Sequence, residues 1–289
     1  MSKTKEISSL SKKYLERGEV VSPLYDLVFK SLFMDPKCRD YLIDIISGVT
    51  RIKRENLQQL YFENTEHPIT HMKEKSKRSD LIVSIKNNVI NIEMNQSYYK
   101  RLFEKNTEYT NTIQNRLFYA GEDYRNLKKV ILISFDNFSK FGKEIITKFQ
   151  IRDESGKYIE SEKYESYHIN LEKINKMYYN NNKLTRLEKE LALLTMEKIE
   201  DMEKLSRGDK VMEKAKEKLI ELTENTIFIG HYEDEKTREW EKNSQLAYAK
   251  EQGSLETKLE TARNLKKLGV DVHTICEATS LSMEEIEKL

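Results

Sequence analysis

The stretch 80–95 constrains this chain more than any other. It reads DLIVSI, then Lys-Asn-Asn, then VINIEMN. Two short apolar runs rich in β-branched residues, separated by turn formers, specify a β-hairpin. Side chains alternate along a strand, so Glu93 and Asn95 share one face. The turn decides where Asp80 goes. With Lys86-Asn87 as a two-residue turn, Asp80 stands opposite Glu93; with Asn87-Asn88, it stands opposite Asn95. Both registers put the three polar side chains on one face. An odd-length loop sends Asp80 to the other face unless a bulge restores it. Ile82, Ile85, Ile90 and Ile92 are expected to point inward and Lys86 outward.

Two carboxylates held side by side repel each other unless a cation lies between them. Mg²⁺, or Mn²⁺ in its place, suits Asp80 and Glu93. It is hard, prefers oxygen at about 2.0–2.1 Å, and accepts one or two carboxylates plus water and phosphate oxygens. Such an ion polarises a phosphate and lowers the pKa of an attacking water. Asn95 offers an amide oxygen or a hydrogen bond, but neither a general base nor a cation. Lys73, Lys75, Lys77 and Arg78 precede Asp80 with only Glu74 against them. Such a run suits a polyanion such as DNA, or else forms a solvated loop.

The rest of the chain places this hairpin in an α/β fold. Ser22-Pro23 and Asp35-Pro36 read as helix starts, the second helix stopping at Gly48. A strand is expected over 57–63, a long helix over 98–120 capped by Gly121, and a buried strand over 128–135. Residues 144–152 and 157–169 flank Asp-Glu-Ser-Gly, a further hairpin. The order from residue 36 is α-β-β-β-α-β with strands appended. Beyond Leu184 the pattern is helical, with a break near 226–234, one charged helix over 247–268, and two short helices after Gly269. Three regions follow: an N-terminal arm (1–21), the α/β domain (22–185) and a helical C-terminal region (186–289).

Composition bounds the function. No apolar stretch approaches the roughly 18 residues of a spanning helix, so no membrane segment is expected. The first residues carry no apolar signal core, and Cys38 and Cys276 lack disulfide or metal spacing, which together fit the cytoplasm. The chain has 50 basic and 49 acidic side chains. Residues 186–289 hold 18 and 24 of them, so the first 185 residues are basic and the remainder acidic. Only the front part can approach a polyanion favourably. The tail has the rhythm of a helix-turn-helix, but its last helix carries three glutamates and one lysine, which suits protein contact better than DNA. Leu255, Leu259, Ala262, Leu265 and Leu268 form a narrow stripe suited to self-association or to packing within the chain. Trp240 is expected to pack, as are the tyrosines and phenylalanines of 98–120. Asn106 and Gln114 are polar positions that could line a groove.

SPLYDLVFKSLF (22–33), the 77–95 hairpin, 105–124, KKVILISFDNF (128–138) and the tail 259–289 together resemble the PD-(D/E)XK nuclease family transposases, the group that includes Rpn-type recombination-promoting nucleases. The resemblance implies a restriction-endonuclease-like core with a helical extension and metal-dependent cleavage of DNA. Asp80 matches the motif aspartate and Glu93 the motif (D/E), while Asn95 falls where the archetype has lysine. Asp26 and Lys30 match the D-x-x-F-K helix of the family. Lys30 or Lys105 could replace the missing cation, although Lys30 also stands at ion-pair spacing from Asp26. The departure at Asn95 equally allows a degenerate member that binds DNA or a protein without cutting.

Overall fold

The computed structural model describes residues 8–67, 77–116 and 123–289. Helix α1 (Ser9–Glu16) starts where the Ser8 hydroxyl accepts the Ser11 N–H. Val20 and Val21 behind it are fully buried, and the Val21 N–H donates to Thr223 Oγ1 at 3.0 Å. Helix α2 (Asp26–Phe33) begins later than Ser22-Pro23 suggests. The Ser22 N–H donates to the Tyr232 hydroxyl at 3.2 Å, and the Tyr25 N–H closes a turn onto the Ser22 carbonyl. Asp35-Pro36 does act as a start: Asp35 accepts the Lys37 N–H, and a 3-10 turn (Pro36–Cys38) leads into α3 (Arg39–Thr50). Gly48 does not end this helix. It sits where a Cβ would lie 2.7 Å from Leu187 Cδ1, so its role is close packing; Arg51, at φ 64°, turns the chain out.

Helix α4 (Arg54–Leu57) takes the start of the expected 57–63 strand, leaving β1 (Tyr61–Phe62). A separate ribbon pairs β2 (Glu66–His67) with β3 (Lys77–Arg78). Then come β4 (Leu81–Ile85), β5 (Asn88–Asn95), α5 (Leu102–Arg116), β6 (Lys129–Asp136), β7 (Ile146–Phe149) and β8 (Tyr164–Asn170). The ends of the long helix expected over 98–120, with Gly121, lie partly outside the described residues. Ile85 pairs with Asn88 and Leu81 with Ile92, so Lys86-Asn87 is the turn and the first of the two registers holds. The six-stranded sheet runs β1-β4-β5-β6-β8-β7, with β5, β6 and β8 parallel. This is the expected α/β core.

The sheet is covered on both faces. Val83, Ile85, Ile90, Ile92, Ile131, Ile133 and Ile169 belong to the main core, with the aromatic residues of α2 and α3. The opposite face is apolar only at one end, where Ile82, Val89 and Val130 meet Ile113 of α5. Ile82 therefore points away from Ile85, Ile90 and Ile92. Toward the carboxyl ends of the parallel strands this second face turns polar: Asn91, Glu93 and Asn95, then Ser134 and Asp136, then Ser166, His168 and Asn170, all buried. Carboxyl ends of parallel strands are where open α/β sheets bind ligands.

Five helices follow: α6 (Leu171–Tyr179), α7 (Arg186–Leu193), α8 (Ile199–Ser206), α9 (Lys210–Glu224) and α10 (Thr226–Lys267). The stretch 226–234 is helical. The break falls at Asn225, whose side-chain oxygen accepts the Ile227 and Phe228 N–H groups and so starts α10. Contacts divide the chain into Met1–Tyr232 and Glu233–Leu289, so α6 to α9 belong with the sheet. In the second unit, Gly269 (φ 78°) ends α10, and α11 (Val272–Thr279) and α12 (Met283–Glu287) follow. Ala262, Ile275, Leu281 and Ile286 form its core, with Leu259 and Leu265 against them, so part of the stripe packs within the chain. Trp240 does not pack: it is 70% exposed, as is most of Leu268. Cys38 is buried, Cys276 half-buried, and both are free thiols. Among the described residues no helix is long and apolar enough to cross a membrane.

One buried acid makes this packing sensitive to pH. Glu190 on α7 is almost fully buried, and burial, with Asp209 adding to it, pushes its carboxyl up to about 7 from 4.5 despite Arg186 and Arg54. Arg186 Nε lies 3.2 Å from Glu190 Oε1 but off the line of a hydrogen bond. A raised carboxyl favours the folded state while protonated, so stability is lost as pH rises from about 4.5 through about 7. Glu190→Gln is therefore expected to raise the melting temperature at pH 8 by several degrees, corresponding to about 2 kcal/mol, and to change it little at pH 4. Thermal scans of both proteins at the two pH values check this.

Candidate active site

The hairpin register brings Asp80, the residue before β4, to the row of Glu93. Asp80 Oδ2 accepts the Met94 N–H at 2.8 Å, which ties its carboxylate to the backbone just past Glu93. Glu93 is fully buried on the polar face. Its Oε1 accepts from the Asn91 amide at 3.2 Å and its Oε2 from Lys105 Nζ at 3.1 Å. Lys105 projects from α5, the helix that covers this face. From the other side α2 contributes Lys30, which bonds Asp26 Oδ2 at 2.7 Å and stands 3.8 Å from Asp80 Oδ1. Lys30 thus holds the ion pair its spacing allows and also approaches the motif aspartate.

The electrostatics follow from this crowding. Burial raises the Asp80 carboxyl most, Glu93 and Asp26 add to the rise, and the Met94 N–H and Lys30 only partly oppose it, leaving it at about 8. Burial works against the Lys105 ammonium, but Glu93 and then Asp80 outweigh it, so its pKa is raised. A site that holds protons this tightly on an acid is short of positive charge. Asp26 Oδ1 is buried without a hydrogen-bond partner, a second sign of the same shortage. Hard carboxylate oxygens in need of a cation fit Mg²⁺ or Mn²⁺. Among the described residues no group of three or more His, Cys, Asp or Glu side chains is placed to hold a metal. Two carboxylates with water and phosphate oxygens make up the set Mg²⁺ commonly accepts.

Asn95 turns toward the neighbouring strand. Its Nδ2 donates to Ser134 Oγ at 2.9 Å and to Asp136 Oδ1 at 3.1 Å. Ser134 Oγ donates to the same Asp136 oxygen at 2.7 Å, and Asp136 Oδ2 pairs with His168 Nδ1 at 2.9 Å. This buried network escaped the reading of the sequence. Its signature was present: Ser134 and Asp136 interrupt an otherwise apolar strand at spacing two, at its carboxyl end, and His168 and Asn170 do the same in β8. Of the basic run, Lys77 and Arg78 form β3, whereas Lys73 and Lys75 lie outside the described residues.

The family model described as PD-(D/E)XK nuclease family transposase matches residues 23–249. No curated protein and no solved structure matches the chain. The match spans the sheet, α2 with Asp26 and Lys30, the hairpin with Asp80 and Glu93, and the helices through α9. With most of its length matched, including every residue of the acid–lysine cluster, the chain belongs to the PD-(D/E)XK nuclease family transposases.

Proposed function

We propose that this protein is a Mg²⁺- or Mn²⁺-dependent DNA endonuclease of the recombination-promoting type, acting in the cytoplasm. The observation that carries the reading is the hairpin placing the Asp80 carboxyl where Glu93 raises its affinity for protons, with Lys30 and Lys105 on either flank. Asp80 and Glu93 would hold the ion. When bound, it would supply charge at the scissile phosphate and a more acidic water. Lys105, released from Glu93, and Lys30 face the same row and neutralise charge that develops on phosphate oxygens. Asn95 fixes the end of β5 through Ser134 and Asp136, so its part is to position the strand that carries Glu93. Lys73, Lys75, Lys77 and Arg78 are assigned to the DNA backbone. Purified protein should nick supercoiled plasmid in Mg²⁺ or Mn²⁺ and fail in chelator. Absence of nicking with either ion ends the proposal.

One observation favours a second reading, a nuclease fold that binds without cutting. Both Glu93 oxygens already accept hydrogen bonds, from Asn91 and Lys105, and the amide nitrogen of Asn95 is committed to β6. Titration calorimetry with Mn²⁺ near neutral pH separates the two. The catalytic reading expects a site lost in Glu93→Gln, and the degenerate reading expects no heat of binding in either protein.

A further inference from the structure

Glu93, Ser134 and His168 form one row across three neighbouring strands, in register. Strands lie about 4.8 Å apart, so His168 stands about 10 Å from Glu93 on the same face. Beside His168 opens a cavity of about 260 Å³. Phe103, Phe141 and Phe149 line it. Ring centroids are 4.9 Å apart for Phe103–Phe141 and for Phe141–Phe149, and all three lie 5.0–5.5 Å from the His168 ring. Asn106 of α5 lines the same cavity and is 2% exposed. Neither its amide nitrogen nor its amide oxygen has a hydrogen-bond partner among the described residues. An amide buried and unmet is costly, and a ligand that meets it removes the cost.

The chemistry of the missing partner is narrow. It must be flat enough for a cage of aromatic rings and must present a donor beside an acceptor in its own plane. An apolar side chain leaves the amide unmet. A phosphate or carboxylate is acceptor-only and satisfies the nitrogen but not the oxygen. Nucleobase edges carry adjacent donors and acceptors, Asn reads them in bidentate fashion, and their faces stack on aromatic side chains. His168, held through Nδ1 by Asp136, keeps Nε2 for the same ligand. We infer that this cavity receives one unpaired nucleobase of the DNA strand, stacked against the phenylalanines and bonded by Asn106. The inference rests on the nuclease reading for its strand and deepens it: the substrate is single-stranded or locally opened DNA, with a base seated one nucleotide's reach from Glu93.

The test uses the full chain in chelator with deoxyadenosine and deoxycytidine, followed by saturation-transfer NMR. Saturation should reach the base protons more strongly than the sugar protons. Asn106→Leu, nearly isosteric, should weaken binding about tenfold or more, the worth of a good bidentate contact. The same variant should melt several degrees higher than wild type, because the unmet amide is gone. Phe141→Ala should weaken binding as well. The inference is overturned if the wild type transfers no saturation to base protons, or if Asn106→Leu binds as tightly as wild type. Plasmid nicking without the base signal discards the pocket and keeps the nuclease; the base signal without nicking does the reverse.

Discussion

Asp80→Ala and Glu93→Ala should each lower plasmid nicking by roughly 100-fold or more, because each removes half of the carboxylate pair on which the charge at phosphate depends. The two variants should part company in stability. Asp80 is a buried acid crowded by Glu93 and Asp26, so its truncation relieves repulsion and the protein should melt no lower than wild type. Glu93 is the acceptor of both Lys105 and Asn91, so its truncation leaves two donors on a buried face and should cost about 2 kcal/mol or more. Glu93→Gln keeps the volume and the Asn91 contact and should retain more of the stability while losing nicking. Kinetics and calorimetry on the three variants check this pattern, and equal nicking by wild type and both alanine variants would dismiss the site.

Asp136→Ala should be the most destabilising single change on the polar face. One buried carboxylate accepts from Asn95, Ser134 and, through its second oxygen, pairs with His168. Removing it strands polar groups from two strands besides its own, in a place closed to water. The expected cost is about 3 kcal/mol or more, a drop of roughly 6–12 °C in melting temperature. Asp136→Asn keeps an acceptor for one neighbour and should cost less. A scanning calorimetry series with Ser134→Ala, expected to cost about 1 kcal/mol, orders the contributions. If Asp136→Ala melts with wild type, the network carries no stability.

Local chemistry made the hairpin legible: Lys86-Asn87 between β-branched runs leaves few alternatives, and the Asp80–Glu93 pairing follows from the register. Strand β6 was legible because its apolar run is long and uninterrupted. Ile82 was misplaced because a sheet covered on both faces is apolar on both, and alternation then says nothing of direction. Ser22-Pro23 misled because the donor that a helix would have capped is taken by Tyr232, far along the chain. The stretch 226–234 looked like a break because Gly230 and mixed polarity mask its pattern, while the true start signal, Asn225, sits one residue earlier. Among the candidate site residues, Asp80, Glu93, Lys30 and Lys105 are the ones the structure draws together. The Asp136–His168 pair needs β6 and β8 side by side, and no local pattern reports that pairing.

The parallel pairing of β5, β6 and β8 has a consequence for synthesis on the ribosome. The ribbon that carries both acids is local and completes early, but a lone two-stranded ribbon is marginal in water. Its outer edge is secured only when Lys129–Asp136 arrives, and that strand in turn by Tyr164–Asn170. Long-range parallel partners assemble slowly. A nascent chain therefore holds its acids on an unsupported edge until the second of those segments has emerged, and a truncated product ending before it has no scaffold with which to cut.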